Sequence, residues 1–290
     1  MPVAQLESRF WRVGHGRQIE LGTRSVIMAI VNVTPDSFSD GGRYQTVDAA
    51  VTQGLKAASE GAAIIDVGGE STRPGADIVS PSEEQARVLP VIEALRGRTD
   101  ALISIDTYRA ETARLAVSVG AHIINDVFGL QKEPEIAGIA AETGAGLCLM
   151  HTGRDRDKLP DVVADQVLFL QRSLEIASAA GVLRDRIVLD PGFGFAKDTE
   201  ENMELMARFS ELHRLGLPLL AGTSRKRFVG AITGREAPDR DAGTAATSAL
   251  LRLAGAVIFR VHDVAINRDA LAIADAMLAA RCSFERRDLA

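Results

Sequence analysis

The chain has 290 residues, and 33 basic against 39 acidic side chains leave a formal charge of −6. Apolar residues make up 46% and charged residues 25%, which excludes a disordered chain and supplies ample core material. The mild acidity argues against a nucleic-acid coat or a basic membrane-surface protein.

Two cysteines, Cys148 and Cys282, are too few for a disulfide framework and suit a reducing compartment. Residues 1–25 carry Arg9, Arg12, Arg17 and Arg24 without an apolar h-region, and no run reaches the ~18 apolar residues of a membrane span. The expectation is a cytoplasmic protein.

In chain order, the first feature is a hairpin pattern in residues 1–25. Phe10-Trp-Arg-Val and Arg17-Gln-Ile-Glu-Leu flank Gly14-His15-Gly16. Eight short apolar runs follow, at 26–31, 63–67, 102–105, 122–125, 146–150, 187–189, 218–221 and 257–261. They are apolar nearly throughout instead of alternating, as strands buried on both faces of a parallel sheet must be.

Stretches of helical period separate them, at 49–60, 83–96, 110–119, 135–142, 162–180, 200–215, 241–253 and 269–281. Ser80-Pro81-Ser-Glu83 reads as a helix start, with a serine cap, proline in the first turn and glutamate at the third position. Acids at Asp48 and Asp198 suit helix N-termini, and Gly61, Gly120, Gly144 and Gly181 suit left-handed C-caps.

Eight strand–helix units without a long linker predict an α/β fold, a (β/α)8 TIM barrel over residues 26–281. The N-terminal hairpin is expected to close the barrel bottom, so that residues 1–290 form a single domain. A doubly wound open sheet is the rival, but the turn after its first strand is usually glycine-rich, and here it is Asn32-Val-Thr-Pro-Asp36.

Polar residues crowd the positions just after the strands. In a barrel those positions all open on one face, where the active sites of this fold sit. Asp106, Asn125 and Asp190 offer three acceptors from separate strands, which suit a flat ligand with a guanidine-like N–H edge, such as a pterin or a guanine. A metal cluster or ion pairs closing the rim are the alternatives.

Gly222-Thr-Ser224-Arg225-Lys226-Arg227 after the seventh run, with Arg260 and His262 after the eighth, resembles an anion site of backbone N–H groups and cations. The first two loops, from Asn32 and from Gly68, have the glycine and turn chemistry of lids. Asn32 and Asp36 offer hard oxygen ligands suited to Mg2+.

Taken together, Asn32-Val-Thr-Pro-Asp36-Ser-Phe38, Asp66-Val-Gly-Gly-Glu-Ser-Thr72-Arg73-Pro74-Gly, Ser104-Ile-Asp-Thr, Asn125-Asp-Val, Met150-His, Asp190-Pro-Gly-Phe-Gly-Phe195, Ser224-Arg-Lys and Arg260-Val-His-Asp-Val resemble the ordered signatures of the dihydropteroate synthase family. The resemblance runs from about residue 26 to 266. It implies a folate-pathway homodimer that condenses 4-aminobenzoate with a dihydropterin-methyl diphosphate, using Mg2+ and a dissociative substitution. It also implies that Asp106, Asn125, Asp190 and Lys226 hold the pterin, and that Asn32, Thr72, Arg260 and His262 hold the diphosphate.

Asp36, Phe38, Arg73, Pro74, Phe195 and Ser224 would then serve the aminobenzoate side, with Asn32 and Asp36 on the metal. Asn32, Asp36, Arg73, Lys226, Arg260 and His262 are the residues expected to carry catalysis. Asp66 and Glu70 read as loop braces, His151 as a support at the core rim, and Ala196 stands where that family commonly has glycine. A pterin-dependent methyltransferase would share the trio but not need the Arg260/His262 cluster. A non-catalytic pterin-binding paralogue would have lost a loop or a ligand.

Overall fold

The computed structural model describes residues 8–33, 43–71 and 79–288. Among them, eight parallel strands form one sheet: β3 (Val26–Asn32), β4 (Ile64–Gly68), β5 (Leu102–Asp106), β6 (Ile123–Asp126), β7 (Gly146–Met150), β8 (Ile187–Asp190), β9 (Leu220–Ala221) and β10 (Ile258–Val261). Their order is β8-β7-β6-β5-β4-β3-β10-β9. A parallel bridge between Leu189 and Leu219 joins β8 to the approach of β9 and closes the barrel.

Helices α1 (Arg43–Glu60), α2 (Pro81–Leu95), α3 (Ala110–Val119), α4 (Glu135–Thr143), α5 (Val162–Ala179) and α6 (Thr199–Ala207) connect successive strands. Helices α7 (Arg227–Thr233) and α8 (Asp241–Leu253) lie between β9 and β10, and α9 (Val264–Asp288) follows β10.

Strand alternation sorts the core into two bodies. Ile27, Ala29, Ile65, Val67, Ile103, Ile105, Ile124, Leu147, Leu149, Leu189 and Phe259 point outward into the layer shared with the helices. Met28, Ile64, Leu102, Ile123, Cys148, Val188, Leu220 and Ile258 point inward and fill the lower barrel. Two residues further along each strand, the same inward parity delivers Asp66, Ser104, Asn125, Asp190 and Arg260, and four further on β5 it delivers Asp106. The sequence pattern that builds the core therefore also aims the polar residues.

Strands β1 (Arg9–Arg12) and β2 (Gln18–Leu21) form the expected antiparallel hairpin. His15 and Gly16 turn it in left-handed conformations, at φ 57° and 69°. Trp11, Val13 and Leu21 join the inward cluster. The Trp11 Nε1–H donates to the Arg186 carbonyl at 2.9 Å, and Gly14 N–H donates to the His122 carbonyl at 2.9 Å. Those partners immediately precede β8 and β6, so the hairpin seals the N-terminal end.

Several local expectations hold. Ser80 accepts from the Glu83 N–H at 3.2 Å, and Asp198 forms a reciprocal capping box with Glu201. Others shift. The 200–215 stretch breaks after Ala207, and Phe209–Leu215 continues as a 3-10 helix. Its buried Phe209, Leu212 and Leu215 recur every three residues, the period of that tighter helix. Helix α1 starts at Arg43, upstream of Asp48. Helix α9 starts at Val264 instead of 269, because Asp263 accepts from the Ile266 N–H at 2.9 Å.

Candidate active site

The inward polar residues meet at the C-terminal mouth. From β10, Arg260 Nε donates to Asp66 Oδ2 and its Nη2 to Asp106 Oδ2, both at 2.6 Å. Asn125 Nδ2 donates to Asp66 Oδ2 at 3.1 Å. One guanidinium thus serves two carboxylates from neighbouring strands. Burial pushes the Asp106 carboxyl up to about 7, with Arg260 opposing and Asp66 adding to the rise. Burial works against the Arg260 charge too, but Asp66 and Asp106 outweigh it and hold its pKa above the ordinary value. Asp66 Oδ1 and Ser104 Oγ, on residues paired in register, are buried without a protein hydrogen-bond partner, a desolvation cost of about 1–3 kcal/mol each.

Asp190 lies beside this cluster. A Cβ placed on Gly222 would sit 3.6 Å from Asp190 Oδ2 and 3.9 Å from Arg260 Cβ, so the two side chains flank one glycine. Gly192 N–H donates to Asp190 Oδ1 at 2.7 Å. Burial raises the Asp190 pKa, opposed first by the Lys226 charge. Burial in turn lowers Lys226 to about 8, with Asp190 opposing. The Lys226 ammonium donates to the Phe193 carbonyl and lies 4.7 Å from the centre of the Phe195 ring. The Arg154 guanidinium lies at the same 4.7 Å from that ring.

On the adjoining rim, Ser224 Oγ and His262 Nδ1 are 2.9 Å apart, and Ser224 Oγ accepts from the His262 N–H at 3.1 Å. Asn32 ends β3 in register with Gly68 of β4. Its Oδ1 and Asp106 Oδ2 would each lie 3.6 Å from a Cβ on Gly68, so hard oxygen donors gather there. Asn32, Asp106, Asn125, Asp190, Phe195, Ser224, Lys226, Arg260 and His262 therefore share one face. Asp36, Phe38, Thr72, Arg73 and Pro74 lie outside the described residues. Among the described residues no three His, Cys, Asp or Glu side chains cluster as metal ligands.

The chain matches the family model described as pterin binding enzyme over residues 28–262. It is 47% identical over 251 residues to a dihydropteroate synthase of Streptococcus pyogenes, covering 86% of this chain and 94% of that protein. The solved structure of the Xanthomonas albilineans dihydropteroate synthase with 4-aminobenzoic acid superposes with a TM-score of 0.88 at 46% identity, covering 93% of this chain and 99% of that one. The same enzyme in complex with 7,8-dihydropteroate gives a TM-score of 0.84 at 44% identity, with 92% and 99% covered.

The chain belongs to the dihydropteroate synthase family. It is thereby a pterin-binding transferase of folate biosynthesis.

Two expectations need correction. Asp66 is no loop brace: it is fully buried and anchors both Arg260 and Asn125. Its inward parity on β4, two residues beyond the core-facing Ile64, carried that signal. Nor do three cations converge after β9. Arg225 is spent on Asp241, at 2.8 and 2.7 Å, and Arg227 is exposed in the first turn of α7, leaving Lys226 toward Asp190.

Glu70 pairs with Arg109 at 2.6 Å, and Arg109 also donates to the Val79 carbonyl at 2.7 Å; Arg73, the expected partner of Glu70, lies outside the described residues. His151 is a buried support, with Asp165 on Nε2 at 2.9 Å. Burial drives its pKa down to about 3, so it stays neutral at physiological pH. Lys197, which follows Ala196, is buried against it.

Proposed function

We propose that this dihydropteroate synthase family member joins 4-aminobenzoate to (7,8-dihydropterin-6-yl)methyl diphosphate at the strand mouth, giving 7,8-dihydropteroate and diphosphate. The observation that carries the reading is the pairing of two buried centres across Gly222: a carboxylate–guanidinium cluster of Asp66, Asp106 and Arg260, and the Asp190–Lys226 pair. Buried acceptors on separate strands suit the N–H edge of the pterin. A carboxylate accepts twice, while Asn125 both donates and accepts. The X. albilineans enzyme is solved with 4-aminobenzoic acid and with 7,8-dihydropteroate, and residues 28–262 match the pterin-binding family model, which supports the substrate pair.

In this reading Asp106, Asn125, Asp190 and Lys226 hold the pterin. Thr72, Arg260, His262 and Asn32 hold the diphosphate, while Phe38, Arg73, Pro74, Phe195 and Ser224 hold the amine. The difficult event is departure of a multiply charged group from the pterin methylene. Fixed cations aimed at that charge lower its barrier without reorganising, as preorganised electrostatics do. Diphosphate leaves first, the electron-rich pterin carries the resulting cation, and the neutral aryl amine attacks it, its nitrogen releasing one proton to water or to the departed diphosphate as the C–N bond forms. The amine needs no strong base at neutral pH. Excluding water matters more, because water would trap the cation.

The oxygen donor chemistry near Asn32 fits Mg2+, which Asn32 and Asp36 would hold and which, when bound, neutralises diphosphate charge. A cytoplasmic homodimer completes the reading.

Incubation with the pterin diphosphate, 4-aminobenzoate and Mg2+, following diphosphate release, tests it. Release that depends on the chain and yields dihydropteroate only with the amine is expected. Release without any pteroate product sinks the assignment. The methyltransferase alternative is disfavoured by Ser224, His262, Lys226 and Arg260 sharing the mouth with the trio.

A further inference from the structure

Behind the groups that face the substrates lies a buried lysine. Lys197 is 9% exposed and sits behind the loop that leaves β8. Its ammonium points at three acceptors from that neighbourhood: the Gly192 carbonyl at 2.8 Å, the Phe195 carbonyl at 3.4 Å and His151 Nδ1 at 3.0 Å. An ammonium has three protons, so all three contacts can be satisfied together. His151 accepts on Nδ1 in the tautomer that carries its proton on Nε2, toward the Asp165 carboxylate at 2.9 Å; Arg156 Nη2 also lies 2.7 Å from that Nε2, and Gln166 Nε2, 3.1 Å from Nδ1, shares the one lone pair with Lys197.

The loop needs such a hold. Gly192, Gly194 and Ala196 all adopt left-handed φ, at 62°, 77° and 51°. The first two tolerate it as glycines. Ala196 is strained there by its Cβ. No repeating backbone ladder supports a segment that alternates in this way. Its outward products are the Phe193 carbonyl, which receives Lys226, and the Phe195 ring, against which Lys226 and Arg154 lie.

We propose that Lys197 is a positioning residue: it clamps the 192–196 loop from behind against His151, and thereby sets the Phe195 ring on the aminobenzoate side. The role rests on the substrate reading above for its kinetic consequence, though not for the clamp itself.

Lys197→Met keeps the stem and removes the donors. Hydrogen exchange of residues 192–196, followed by mass spectrometry, is expected to rise at least tenfold while β7 and β8 stay protected. This readout needs no substrate, so it tests the clamp even if the substrate reading fails. In kinetics, the KM for 4-aminobenzoate is expected to rise about tenfold, with kcat and the binding of a fluorescent pterin changed less than threefold. In a Phe195→Ala background the same substitution is expected to add little, because its effect passes through that ring.

Unchanged exchange in the loop overturns the clamp. An equal KM effect with and without the Phe195 ring overturns its route to the amine. Lys197→Gln, which shortens the donor, takes the same measurements if Lys197→Met does not fold. Failure of both to fold overturns positioning in favour of a purely structural role.

Discussion

The two ends of the barrel are made by the same strands and solve opposite problems. At the N-terminal end Met28, Ile64, Leu102, Ile123, Val188 and Ile258 meet Trp11, Val13 and Leu21 of the hairpin. Polar groups there find partners: the Trp11 indole N–H reaches a carbonyl, and the half-buried His122 Nδ1 accepts from the Ile103 N–H at 3.0 Å. At the C-terminal end the next inward residues are charged, Asp66 Oδ1 and Ser104 Oγ lack protein partners, and burial displaces the pKa values of Asp106, Asp190 and Lys226. One end holds the stability. The other gives some of it up so that its charges are already desolvated when a substrate arrives.

That contrast can be broken by substitution. Trp11→Ala removes one of the largest fully buried side chains and is expected to cost about 3–5 kcal/mol in urea unfolding, with both KM values within about twofold. A large KM change would mean that the ends are coupled. Lys226→Ala is expected to do the reverse, cutting kcat/KM by about a hundredfold to a thousandfold with far less loss of stability than Trp11→Ala. Wild-type kinetics would remove Lys226 from the site.

The pH profile sharpens the same point. Because burial holds Lys226 near 8 instead of its ordinary 10.5, its cation is lost as pH rises through about 8. An alkaline fall in kcat/KM is expected there, absent from the Lys226→Arg variant. The stability sign is opposite: a depressed lysine pKa penalises the folded state while the group is charged. That penalty fades between about pH 8 and 10.5. The smallest effect is expected from Lys158→Ala, whose 2.5 Å pair with Glu201 is half-exposed. A loss of under about 1 kcal/mol in thermal unfolding would fit a surface pair.

Much of this was legible in the residues, and for an identifiable reason. Parallel strands buried on both faces write themselves as unbroken apolar runs, so β3 to β10 could be placed to within a residue or two. The strand-end position of Asp106, Asn125, Asp190 and Arg260 then followed from the fold. What stayed hidden depended on contacts between distant segments. Asp66 sits within a strand run whose parity aims it inward, but which groups it anchors, Arg260 and Asn125, shows only in the fold. Arg225 could not be separated from Lys226 without seeing Asp241. The break after Ala207 came from a three-residue burial period that a helical window averages away.

The seam of the sheet has a consequence for how the chain is made. β3 pairs with β10 near the C-terminus, and β8 meets its neighbour only at the short β9 approach. A ribosome that has released residues up to the middle of the chain has therefore exposed two bare strand edges with nothing to cap them. Such a partial product is a template for association with its own kind, and the ring can shut only once β9 and β10 have emerged.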